Sequence, residues 1–176
     1  MDTHNDHRTG ANGQYTSNGR PHGSTSLTPF LVIEDTRAAI AFYRDVFGAR
    51  VVDVTEMDGV VAHAELDFGH GKLQLGAPLP GMGLVPAPSE GSCYSLGLYC
   101  SNVDAVAEAA QHAGAVLREE PATFVSGDRY ASLLDPFGVR WSVMTRVEDI
   151  SEEESARRVA AWAAEQSAAQ DSGSPA

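Results

Sequence analysis

The residues with the greatest chemical capacity are His63 and Glu65, two apart in the alternating segment His63-Ala-Glu-Leu-Asp67. Residues two apart on a strand share a face, so an imidazole and a carboxylate would point the same way. Such a pair can act as a general base or as two ligands to a metal. The same alternation also describes an ordinary, partly exposed strand. Arg129 has two readings: a grip for an anionic group, or half of an Asp128-Arg129 pair that fixes a turn. Phe30 and Tyr99 are either stacking platforms or core aromatics. His4, His7 and His22 lie in a segment without large apolar residues and have no rigid frame to hold a metal. His70 sits in a Gly-His-Gly turn facing solvent, and His112 suits the negative end of a predicted helix. Cys93 and Cys100 are an odd number of residues apart around one predicted strand, so they face opposite ways and are expected to be buried, unpaired thiols. The chain has no nucleophile motif, phosphate-cradling glycine loop or dinucleotide fingerprint, and no catalytic residue is assigned.

Two stretches repeat one design. Asp135-Pro-Phe-Gly-Val-Arg-Trp-Ser-Val-Met144 reads as a tight turn feeding a strand, with Arg140, Ser142 and Met144 on one face and Trp141 and Val143 on the other. Asp67-Phe-Gly-His-Gly-Lys-Leu-Gln-Leu75 is a weaker copy. The repetition implies duplication, with one polar pocket residue per copy, Gln74 and Ser142.

The elements that must position these residues follow the same duplication. Residues 1–26, rich in Asn, Gly, Ser and Thr, are expected to be a disordered tail. A strand at 27–33 is followed by an N-cap at Asp35, a helix with its stripe at Ala39, Phe42, Tyr43, Val46 and Phe47, and a stop at Gly48. Strands are predicted at about 50–56, 60–68 and 72–76. Residues 78–93 form a Pro-rich linker without regular structure. The pattern then returns: a strand at 94–100, an N-cap at Asn102, a helix ended by Gly114, and strands at about 115–119, 128–134 and 139–145. The two modules span about 27–77 and 94–146, within a domain at 27–149. Ser151-Glu-Glu-Glu154 caps a C-terminal helix at 150–168, and 169–176 should fray. The fold class is therefore α+β, two tandem βαβββ modules plus a C-terminal helix. Counting by parity, Phe30 and Val32, then His63, Glu65 and Asp67, then Gly97 and Tyr99, then Arg129, Ala131 and Leu133, and Arg140, Ser142 and Met144 line one polar face.

Composition narrows the function. With 43% apolar and 20% charged residues the chain has the make-up of a globular domain. A net charge of −12 argues against nucleic acid, whose phosphates need a basic surface, and suits a neutral or cationic ligand. No apolar run approaches the ~20 residues of a membrane span, and the N-terminus lacks the apolar core of a signal peptide. The expected location is the cytoplasm.

The tandem βαβββ pattern, with Ala-Phe-Tyr-Arg-Asp-Val-Phe-Gly-Ala at 41–49, Gly127-Asp128-Arg129-Tyr130 and Asp135-Pro136-Phe137-Gly138, resembles the vicinal oxygen chelate superfamily of glyoxalases, bleomycin-resistance proteins and extradiol dioxygenases. The resemblance covers about 27–150. It implies a curved mixed sheet around a cleft, and homodimers. It also implies that metal-using members draw His, Glu or Gln ligands from the first and last strands of each module. Those positions fall seven residues before each helix cap, at Thr28 and Ser95, and at Gln74 and Ser142 in the last strands. Hydroxyls and one amide are poor donors for a divalent cation, so no metal or other cofactor is expected.

Three functions fit. The first is a metal-free, drug-sequestering protein of the bleomycin-resistance type that holds an aromatic or cationic small molecule through Thr28, Phe30, His63, Glu65, Gln74, Ser95, Tyr99, Arg129 and Ser142. The second is a glyoxalase-like lyase, isomerase or dioxygenase using a relocated metal at His63 and Glu65, or metal-free acid–base catalysis. The third is an interaction module that docks through the C-terminal helix.

Overall fold

The computed structural model describes residues 9–88 and 91–172; His4 and His7 lie outside them. The chain divides after Pro86 into two units, both of α+β architecture.

The first unit opens with a hairpin, β1 (Thr16–Ser17) and β2 (Arg20–Pro21), in the segment expected to be disordered. Its turn is Asn18-Gly19 with φ of 49° and 77°, the left-handed pair that a two-residue hairpin turn demands. After it come β3 (Phe30–Val32), α1 (Thr36–Phe47), β4 (Arg50–Met57), β5 (Val60–Asp67) and β6 (Lys72–Gly76). They form a sheet of order β3-β6-β5-β4 in which β3 runs parallel to β6 and the other pairs are antiparallel. Helix α1 starts where the Asp35 carboxylate accepts the Ala38 N–H at 3.0 Å and stops at Gly48 with φ of 71°. Its bulky face, Phe42, Tyr43 and Phe47, packs as an aromatic cluster with centroids 5.5–5.9 Å apart. Leu31, Ile33, Ala64, Leu66, Leu73 and Leu75 are buried on the sheet. Beyond β6 the Pro-rich stretch is more ordered than its composition suggests. Leu79 and Leu84 exchange backbone hydrogen bonds of 3.0 and 3.2 Å around a 3-10 turn at Pro80–Met82, in which Pro occupies a position that needs no N–H donor.

The second unit repeats the plan with β7 (Leu96–Tyr99), α2 (Val103–His112), β8 (Val116–Thr123), β9 (Asp128–Leu134) and β10 (Arg140–Arg146), ordered β7-β10-β9-β8 with β7 parallel to β10. Asn102 caps α2 by accepting the Ala105 N–H at 3.1 Å. Here the bulk is exchanged between layers: α2 offers Ala107 and Ala110, and the sheet supplies Trp141, Leu133 and Val143. Strand β8 runs four residues past its predicted end, through Pro121, because it is an edge strand with two register shifts and tolerates a lost donor.

Helix α3 (Glu152–Ser172) follows. It continues past the predicted end at 168 because Ala, Gln and Asp carry no helix breaker before Gly173. The segment leading into it crosses Gly127, which has φ of 84°. The Gly127 carbonyl accepts the N–H groups of Val147 and Glu148, and a Cβ at 127 would stand 3.0 Å from Ile150 Cδ1. Among the described residues, no helix is long and apolar enough to cross a membrane.

Candidate functional site

Cross-strand register assigns the faces of each sheet, because paired residues share a face. In the first unit Phe30 pairs with Gln74, Gln74 with Glu65, and Glu65 with Asp53; His63 pairs with Thr55. These residues occupy the face opposite Leu31, Leu75 and Leu66. The sheet therefore brings together Phe30, His63, Glu65 and Gln74, four of the residues singled out from sequence. Glu65 is their hub. Its carboxylate accepts Lys72 Nζ at 2.6 Å on one oxygen and Gln74 Nε2 at 3.1 Å on the other. The hydrogen bonds from Lys72 and Gln74 hold its carboxyl below the usual range, against the opposing pull of burial. An ionised carboxylate with both oxygens occupied is a weak base at neutral pH. It is also a costly metal ligand, since Lys72 would have to be displaced. Sequence reasoning passed over Lys72, although it stands two before Gln74 and so shares its face. His63 lies beside Phe30, with ring centroids 6.2 Å apart and planes tilted by 32°. Asp67 turns to Arg50 Nη2 at 2.6 Å and to the Gly69 N–H at 2.8 Å.

In the second unit Ser142 pairs with Gly97 and Ser132, Met144 with Tyr99 and Tyr130, and Arg146 with Asp128. Ser95, one residue before β7, brings its hydroxyl to 3.4 Å from that of Ser142. Asp128 is buried and accepts Arg146 Nε at 2.8 Å, Ser126 Oγ at 2.9 Å and the Tyr99 hydroxyl at 3.3 Å. Tyr99 is thereby anchored at its tip, with 58% of its surface exposed. Tyr130 bonds Glu119, which together with burial pushes its phenol up. Ser132 Oγ is buried with no hydrogen-bond partner among the described residues.

Three expectations are corrected. Arg129, Ala131 and Leu133 do not line the polar face. Leu133 pairs with Trp141 and Ala131 with Val143, which puts all three on the α2 side. Arg129 there donates Nε and Nη2 to the two oxygens of Asp104 at 2.7 and 2.6 Å, and this bond holds the Asp104 carboxyl low. Its partner is Asp104 rather than Asp128, which pairs with Arg146. Cys93 is exposed rather than buried; Cys100 is half-buried, with its sulfur 3.6 Å from Thr145 Oγ1. The apolar partners of Ala131 and Leu133 were the available signal for the correct parity.

The positions that correspond to metal ligands do not fit a divalent cation. Thr28 Oγ1 shares a 2.6 Å hydrogen bond with Thr25 Oγ1, the Gln74 amide donates to Glu65, and Ser95 and Ser142 are neutral hydroxyls facing each other. Among the described residues, no three His, Cys, Asp or Glu side chains gather as a metal-binding group. With neutral donors at all four positions, nothing offsets the dehydration of the ion.

Comparison with known proteins agrees with this architecture. Residues 25–143 match the profile of the glyoxalase/bleomycin resistance protein/dioxygenase superfamily. An uncharacterised protein of Mycobacterium bovis is 31% identical over 134 residues, which is 73% of this chain and 88% of that protein. TioX from Micromonospora sp. ML1 shares the fold with a TM-score of 0.56 at 22% identity, over 70% of this chain and 99% of that one. The fosfomycin resistance protein FosX of Listeria monocytogenes, seen as a mutant with Mn(II) and 1S,2S-dihydroxypropylphosphonic acid, does so with a TM-score of 0.58 at 13% identity, over 77% and 98%. The tandem βαβββ units and the matched span lead to one assignment: the chain belongs to the glyoxalase/bleomycin resistance protein/dioxygenase superfamily.

Proposed function

We propose that the protein binds a small organic molecule by its polar sheet faces, in the manner of a sequestering protein and without a divalent metal. One observation carries this reading. The positions where metal-using relatives place ligands hold Thr28, Gln74, Ser95 and Ser142, and the nearest carboxylate, Glu65, is already committed to Lys72 and Gln74. What these faces offer instead is hydrogen bonding beside exposed aromatic surface, Tyr99 in one unit and Phe30 with His63 in the other. Ligand sites typically combine an apolar lining with a few placed polar groups. A net charge of −12 favours aromatic molecules that are neutral or cationic. Association as a homodimer and a cytoplasmic location accompany this reading.

The test is a calorimetric titration with aromatic cations, metal-free bleomycin among them, in buffer containing EDTA, followed by mass spectrometry of the recovered ligand. Saturable heat with an unchanged ligand mass is expected, and Tyr99→Ala and Gln74→Ala should weaken it. Conversion of the ligand, or binding that requires added Mn(II), would overturn the proposal.

A further inference from the structure

The chain carries 24 acidic and 12 basic residues, so carboxylates are plentiful and cations scarce. Among the described residues every Lys and Arg side chain but two donates a hydrogen bond, Arg20 to the Ser24 carbonyl and the others to carboxylates. The exceptions are Arg118 and Arg140. Arg140 comes no closer to a carboxylate than 3.9 Å, from Glu119, and Glu119 is already bonded to Tyr130. The fold brings these two to one place. Val116 pairs with Leu134 and Leu134 with Arg140, which sets β8 and β10 on either side of β9 with these residues on one face. Arg118, two residues after Val116, is the extra residue of a β-bulge, since Leu117 pairs with Leu133 and Glu119 with Ser132. A bulge bends its strand and re-aims a side chain. Both arginines line a cavity of about 270 Å³ together with Ser92, Leu134 and Gly138.

Two guanidiniums that share a cavity repel each other, and an anion held between them turns that repulsion into attraction on both sides. Each guanidinium keeps its charge at any ordinary pH and presents a planar fork that matches the two oxygens of a carboxylate or phosphate. Strands two places apart in a sheet stand about 10 Å from each other, a gap that two arginine side chains can close upon a small ion. The cavity is smaller than the ~300–1,000 Å³ of drug-sized sites, which suits an anionic group better than a large aromatic molecule. The net charge of −12 disfavours diffuse attraction of anions, so binding here depends on these two side chains. We infer that the cavity beside β8 and β10 binds a small oxyanion, a carboxylate or phosphate, through Arg118 and Arg140. This site goes beyond the proposed function and does not rest on it. Arg140 opens β10, whereas Tyr99 pairs with Met144 further along the same strand.

The experiment is calorimetric titration of the full chain with sodium phosphate and with sodium acetate in separate arms, and with sodium chloride as the ionic-strength control. Saturable heat is expected in at least one oxyanion arm and not with chloride; the stronger arm names the anion. Arg118→Ala and Arg140→Ala should each weaken that binding about tenfold or more, and the double variant should abolish it. Arg118→Gln and Arg140→Gln, which keep much of the aliphatic stem, repeat the test should an alanine variant fold poorly. Arg44→Ala removes a guanidinium already bound to Asp45 and should change nothing. Tyr99→Ala should leave oxyanion binding intact, which separates this site from the one that takes aromatic cations. Absence of saturable heat in both oxyanion arms, Arg118 and Arg140 variants that bind as tightly as wild type, or an equal loss in Arg44→Ala would each overturn the inference.

Discussion

The carboxylate of Asp135 is buried and accepts hydrogen bonds on both oxygens, and replacing it by asparagine tests how the turn before β10 is held. Asp135 is 3% exposed. One oxygen accepts the N–H groups of Phe137 and Val139, both at 2.9 Å, and the other accepts the Trp141 indole N–H at 2.9 Å. In the Asp135→Asn variant the side-chain amide would keep an oxygen for the two backbone donors and turn its NH2 toward the indole, leaving two donors face to face. A hydrogen bond to a charged group contributes about 1.5–3 kcal/mol and an orphaned buried donor costs about 1–3 kcal/mol, so Asp135→Asn should lower stability by about 2–4 kcal/mol. Asp67, the counterpart in the first unit, is half-buried rather than buried and receives one backbone N–H at 2.8 Å and Arg50. Asp67→Asn is the internal control and should have a much smaller effect. Urea denaturation followed by tryptophan fluorescence and near-ultraviolet circular dichroism reads both, because Trp141 is itself a partner of the carboxylate. An Asp135→Asn variant as stable as wild type, or a control that costs as much, would refute the account of the turn.

Two further outcomes follow from other residues. Ser132→Ala removes a buried hydroxyl without a partner among the described residues and should raise stability by about 1 kcal/mol, visible as a melting temperature roughly 2–4 °C higher. Glu65 has its folded-state carboxyl held low by Lys72 and Gln74. It therefore contributes stability that is complete above the ordinary carboxylate range near ~4.3 and is lost as pH falls through the lowered value. Glu65→Gln should flatten that acid limb in denaturation curves measured between neutral pH and strong acid, and an unchanged limb would assign it to other carboxylates.

Much of the fold is legible in the sequence because local chemistry and tertiary structure agree. The caps at Asp35 and Asn102 and the left-handed Gly48 stand where the sequence puts them. The alternation of β10 correctly separates Trp141 from Ser142, and the helix caps locate Ser95 within 3.4 Å of Ser142. Arg129 escapes such a reading because a strand buried on both faces, with Ala131, Ser132 and Leu133 all covered, has no polar alternation to set its phase. Only pairing with β10 resolves it. The hairpin at Thr16–Pro21 carries the Asn-Gly turn signal, but its strands are two residues long and polar, so no apolar period marks them. The bond between Glu65 and Lys72 depends on the β5–β6 register, which no motif announces.

Gly127 bears on how such a chain can change through descent. It lies inside the span shared with the superfamily, whereas Ile150, whose Cδ1 would be 3.0 Å from a Cβ at 127, lies beyond it. A turn residue with φ of 84° would ordinarily accept Asn or Asp as well as Gly. Once the lead-in to α3 is seated across it, that latitude narrows, because Ile150 and Glu148 must each give by a few tenths of an ångström to admit a side chain. The helix lead-in therefore restrains a position inside the shared span: a side chain at residue 127 is accommodated only if Ile150 and Glu148 shift. Presence of the helix and identity of that glycine should be inherited together.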